Sequence, residues 1–118
     1  MKRKINTKPK TICFDIDDTL WRIRLDKHDQ VPDYDLIAVM RWFYMNGDTV
    51  YVWSAGGVDY AKQICSKLGI DEYVDEIIPK GDFFGTADIT FDDEEVSLGK
   101  TNIHVQREGP TYEERHFK

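Results

Sequence analysis

The chain has 118 residues, 41% apolar and 13% aromatic, enough for one small domain with a compact core. Its net charge of −6 argues against a general nucleic-acid surface, although Lys2, Arg3, Lys4, Lys8 and Lys10 crowd positive charge before the first apolar run. No apolar stretch approaches the roughly 20 residues of a membrane span, and the N-terminus lacks the apolar region of a secretory signal.

Residues 1–10 therefore read as a basic, disordered, solubilising arm, residues 11–106 as the folded domain, and residues 107–118 as a tail. Cys13 and Cys65 form no CxxC pair. They read as small buried apolar residues of a reducing compartment, which points to the cytoplasm.

The segment Thr11-Ile12-Cys13-Phe14-Asp15-Ile16-Asp17-Asp18-Thr19-Leu20 begins as a buried strand. Alternation sends Cys13, Asp15 and Asp17 one way and Ile12, Phe14 and Ile16 the other. It ends in three carboxylates within four residues, and like charges so close repel and dehydrate badly. A divalent cation relieves that cost, and hard oxygen ligands suit Mg²⁺.

Residues 21–31 alternate Trp21, Ile23 and Leu25 with Arg22, Arg24 and Asp26, the pattern of a short strand or flap, with Lys27 and His28 at its far end. A helix follows, starting near Asp33 or Asp35, with Leu36, Val39, Met40 and Phe43 on one face and Gly47 as its stop. The next strand is Thr49 to Trp53. The turn Ala55-Gly56-Gly57 leads into a helix that turns Val58, Ala61, Ile64, Cys65 and Leu68 inward and ends at Gly69. A helical turn over 71–74 precedes strands at about 76–78 and 88–91, and Ile103-His104-Val105 allows one more short strand. Strands alternating with amphipathic helices predict a parallel sheet with right-handed crossovers. Ligands bind such sheets beyond the carboxyl ends of the strands, where Asp15, Ser54, Lys80 and the pair Asp92-Asp93 all fall.

Four segments resemble, in order, the four motifs of the haloacid dehalogenase superfamily. They are Asp15-Ile16-Asp17-Asp18-Thr19, the strand ending in Ser54, Lys80 after Glu76-Ile77-Ile78-Pro79, and Ile89-Thr90-Phe91-Asp92-Asp93. Thr19-Leu20-Trp21 and Phe91-Asp92-Asp93-Glu94 are similar to the small magnesium-dependent phosphatases of that superfamily. The likeness runs from Thr11 to about Val96. It implies an α/β, three-layer Rossmann-like domain with a mainly parallel sheet. No cap domain is expected, because the intervals after the first and second motifs are too short to hold one.

The resemblance further implies a Mg²⁺-dependent phosphomonoester phosphatase working through an aspartyl-phosphate. Asp15 would be the nucleophile and Asp17 the general acid, later the general base. Ser54, with the backbone of Ala55 and Gly56, and Lys80 would bind phosphate. Asp15, Asp17, Asp92 and Asp93 would surround the metal, with Asp92 favoured over Asp93 as the direct ligand. Asp18 and Thr19 fall to the turn, Thr19 through hydrogen bonds to backbone. Glu94 and Glu95 read as a solvated helix start. The substrate, small molecule or macromolecule, stays open, with nucleic acid not favoured, and so does assembly into a homo-oligomer. The competing readings are a non-catalytic phosphate-binding or regulatory module and a polynucleotide-end phosphatase.

Overall fold

A continuous run of buried residues, Ile12 to Asp15, makes the first strand, and everything else is arranged around it. The computed structural model describes residues 2–23, 31–83 and 85–106. Arg24, Lys27 and His28 of the flap, and the tail at 107–118, lie outside the described residues. In chain order the elements are β1 (Thr11–Asp15), β2 (Trp21–Arg22), β3 (Val31–Pro32), α1 (Tyr34–Met45), β4 (Thr49–Trp53), α2 (Val58–Leu68), a 3₁₀ turn (Asp71–Tyr73), β5 (Glu76–Ile77), β6 (Ala87–Asp92) and β7 (Gly99–His104). Five strands form one sheet in the order β5-β4-β1-β6-β7, every pair parallel. The flap is a separate antiparallel pair, with Trp21 opposite Pro32 and Arg22 opposite Val31.

The expected elements form for the expected reasons. Asp33 caps α1 by accepting the Leu36 N–H at 2.9 Å, and Gly69 closes α2 in the left-handed region. β7 runs six residues in register with β6, longer than the sequence suggested, with Asp92 beside His104. Among the described residues no helix is long and apolar enough to cross a membrane.

Both helices lie on one face of the sheet. Ile12, Phe14, Val50, Val52 and Phe91 meet Met40 of α1 and Ala61, Ile64 and Cys65 of α2. Phe14 and Phe91 stack with ring centroids 4.6 Å apart, and Phe43 meets Phe91 edge-on at 6.1 Å. Cys13 and Trp53, on the other face, join Ala87 in a second cluster with Ile78, Phe83 and Leu98, the last three from loops. The expectation of three layers is therefore corrected to two among the described residues. The connections on either side of β6 form turns rather than helices among the described residues, and single apolar side chains cover that face instead. Burial pushes the thiols of Cys13 and Cys65 up to about 12, as expected of inert core cysteines.

Two further expectations change. Val39 is 37% exposed, while Ile37 and Tyr44 join Leu36, Met40 and Phe43 on the packed side of α1. Tyr44 meets Tyr73 of the 3₁₀ turn at 6.1 Å, which rotates the buried stripe toward that neighbour. The basic arm is docked rather than disordered over its described residues. Arg3 forks onto both oxygens of Asp75 at 3.0 and 2.9 Å, donates to the carbonyls of Tyr44 and Asp48, and lies over the Tyr44 ring at 3.9 Å. Gly47, at φ 83°, permits the close approach, because a Cβ there would sit 2.5 Å from the Lys4 carbonyl oxygen. Charge content alone could not show which carboxylates the arm would find.

Candidate active site

At the carboxyl end of the sheet, β1, β4, β6 and the loop after β5 bring their terminal residues to one open cleft of about 220 Å³. Asp15, Asp17, Asp18, Ser54, Ala55, Lys80, Asp93 and Glu94 line it. The turn after β1 is fixed locally. Leu20 and Thr19 donate to the Ile16 carbonyl, Asp18 takes the left-handed conformation at φ 57°, and its carboxylate accepts the Ile23 N–H at 3.0 Å. Asp18 thus holds the turn, as its position suggested.

Asp15 is 5% exposed and both its oxygens are partnered. Lys80 Nζ lies 3.1 Å from Oδ1, and Thr19 Oγ1 donates to Oδ2 at 3.1 Å. Beyond the bonding to backbone expected of it, the fully buried Thr19 hydroxyl reaches the Asp15 carboxylate directly, because the turn folds residue 19 back under residue 15. Lys80 also lies 2.8 Å from Asp92 Oδ2, so one ammonium bridges two buried carboxylates. Asp92 Oδ1 accepts the Glu94 N–H at 3.0 Å. Burial, then the neighbouring Asp92, raises the Asp15 pKa, with Lys80 opposing. Burial pulls Lys80 down, but its bonds to Asp92 and Asp15 outweigh that and hold it above its usual value.

Asp15, Asp92 and Asp93 each offer an oxygen within 4.8 Å of the other two. Two like charges about 4 Å apart repel by roughly 4 kcal/mol at an effective dielectric of about 20. Lys80 supplies one positive charge against three negative ones, leaving two for a divalent cation to neutralise. Hard oxygen donors gathered in this way suit Mg²⁺. The structure does not add the Asp17 carboxylate to this group. Its Oδ1 is turned to the Trp21 indole N–H at 3.2 Å and to the Tyr60 hydroxyl.

Ser54 is 5% exposed at the end of β4, and its Oγ accepts the Gly56 N–H at 3.0 Å. That amide is therefore engaged within the loop, while Ser54 and Ala55 line the cleft. Glu94 and Glu95 lie in the loop between β6 and β7 rather than at a helix start; β7 begins too soon to leave room for one. His104 meets the backbone carbonyl of Asp93 at 2.9 Å. Tyr60 is the site residue the motifs did not reveal. Its only signal is Gly56, where a Cβ would lie 2.9 Å from the Tyr60 ring. Comparison with protein-family models, with curated proteins and with solved structures finds no match for this chain.

Proposed function

We propose that the chain is a Mg²⁺-dependent phosphomonoester phosphatase of the haloacid dehalogenase type, without a cap, in which Asp15 is the nucleophile. The observation that carries the reading is the convergence of Asp15, Asp92 and Asp93 with one bridging lysine, at the strand ends beside Ser54. A purely structural ion pair has no use for a third carboxylate.

Asp15 is oriented for attack by Thr19 and Lys80, which fix both of its oxygens. As its oxygen bonds to phosphorus, the bond from phosphorus to the leaving oxygen breaks, and Asp17 donates a proton to that oxygen. Lys80 and Ser54 stabilise the phosphoryl oxygens. Water then attacks phosphorus and gives its proton to Asp17, releasing phosphate and restoring Asp15. Mg²⁺, held by Asp15, Asp92 and Asp93, would neutralise the phosphoryl charge and orient it for in-line attack.

An open site suits a wide range of leaving groups. A groove of about 440 Å³ lined by residues 94–97 and 102–104 shares Glu94 with the cleft, so a substrate larger than a simple phosphate has somewhere to lie. The test is inorganic phosphate release across a panel of phosphomonoesters, with Mg²⁺ and after exhaustive EDTA. Release that requires the metal is expected. Full activity with no bound metal would sink the metal's role, and no release from any substrate would sink the enzyme.

A further inference from the structure

An aspartate that shuttles a proton needs one oxygen free to carry it and a fixed direction in which to present it. Asp17 satisfies the first condition unusually clearly. Its Oδ1 accepts two neutral donors, the Tyr60 hydroxyl and the Trp21 indole N–H at 3.2 Å, which fill both lone pairs of that oxygen. Its Oδ2 has no hydrogen-bond partner among the described residues, and Asp17 lines the cleft.

The second condition is met by α2. Tyr60 lies in its first turn, and Lys67 of the same helix lies 5.2 Å from the centre of the Trp21 ring, which is 4% exposed. One rigid helix therefore supports both donors. Gly56 completes the arrangement, because any side chain there would strike the Tyr60 ring. Burial and the facing carboxylate raise the Tyr60 pKa, so the phenol stays protonated as a donor.

We infer that Tyr60 and Trp21 are positioning residues that lock Asp17 Oδ1, so that Oδ2 alone gives the proton to the leaving oxygen and later takes it from water. This rests on the phosphatase reading above. In the first half-reaction the proton passes from Oδ2 to the leaving oxygen as the phosphorus–oxygen bond breaks. In the second it returns to Oδ2 from the attacking water as the Asp15–phosphorus bond breaks.

The consequence is a dependence on the leaving group. An alkyl phosphate needs the proton, whereas p-nitrophenyl phosphate, with a stable leaving anion, needs it far less. Tyr60→Phe removes only the hydroxyl. It is expected to lower the ratio of kcat/KM for an alkyl phosphate to that for p-nitrophenyl phosphate by about tenfold, the order of one lost hydrogen bond in the transition state. In an Asp17→Asn background the same change should not move the ratio further, because Tyr60 acts only through Asp17. Equal losses on both substrates, an unmoved ratio, or a tenfold change that persists in Asp17→Asn would each overturn the inference. Should Tyr60→Phe fail to fold, Trp21→Phe removes the other donor to the same oxygen and takes the same two assays. Labelling with ³²P substrate separates the two levels. A wild-type chain that forms no phosphoenzyme and releases no phosphate defeats the phosphatase reading and this inference together. A wild-type chain that labels and turns over, with an unmoved ratio in Tyr60→Phe, defeats this inference alone.

Discussion

The two ends of the sheet use the same residue type in opposite ways. At the amino end Asp48, Asp75 and Asp88 each accept a backbone N–H at or beside the start of a strand. Asp48 takes Lys10, Asp75 takes Val50, and Asp88 takes Thr11, all at 2.8 to 3.0 Å. Asp75 adds Arg3 and Asp48 adds the Asn6 side chain. At the carboxyl end Asp15, Asp92 and Asp93 face one another, and one lysine serves two of them. Carboxylates that find donors hold a fold together. Carboxylates held against like charge await a cation or a reaction, and the fold tolerates them because the rest of the sheet is well packed.

If that contrast is right, the largest effect belongs to Asp15→Asn. It should lower kcat by at least about 10⁴-fold and abolish the ³²P-labelled intermediate. Its melting temperature in EDTA should be no lower than that of the wild type, since a like charge beside Asp92 is gone. A variant that keeps the label, or that unfolds, would erase the distinction between the two ends.

Lys80→Met comes next. Removing the bridging ammonium leaves buried carboxylates without their cation and should cost about 2–3 kcal/mol in EDTA. Mg²⁺ should raise the melting temperature of the wild type and raise that of this variant by more, which scanning calorimetry would measure. No rise in either protein would remove the metal from this site.

At the opposite end Asp75→Ala should cost about 1–2 kcal/mol, from the Val50 N–H and the Arg3 fork it leaves behind. Turnover at temperatures where the variant is folded should stay within about twofold of wild type, because such surface caps act on the folded population alone. A large loss of turnover in a fully folded variant would mean the two ends are coupled.

The smallest effect is one of slope. The folded chain holds the Asp15 proton more tightly than the unfolded chain does, because burial and Asp92 raise its pKa. Metal-free stability should therefore fall as pH rises from the ordinary aspartate value of about 4 toward the raised one, then level off. In Asp15→Asn the fall should be smaller. Melting curves in EDTA from pH 4 to 8 would show it, and a wild-type chain that gains on the variant as pH rises would contradict the shift.

The alternation of Ile12 and Phe14 against Cys13 and Asp15 was enough to place β1 and its two faces, since a strand has only two sides. Gly47 and Gly69 marked where helices stop. Asp15, Ser54, Lys80 and Asp92 could be grouped because a parallel sheet gathers its carboxyl ends. Thr19 and Tyr60 could not be read in the same way. A hydroxyl in a turn or on a helix looks alike whether it meets solvent, backbone or a carboxylate.

By itself the sequence determined the order of the main strands and helices, the two faces of β1 and the gathering of Asp15, Asp92 and Asp93, because these follow from local periodicity and chain direction. It also grouped Asp17 with them and buried Val39, and packing turned both elsewhere. The tertiary structure alone decided that both helices share one face, that the arm docks through Arg3, and that Lys80 bridges Asp15 and Asp92. It alone turned Asp17 toward Tyr60, 43 residues away in the chain. Partners so far apart in sequence are chosen by how elements pack, and no local pattern records that choice.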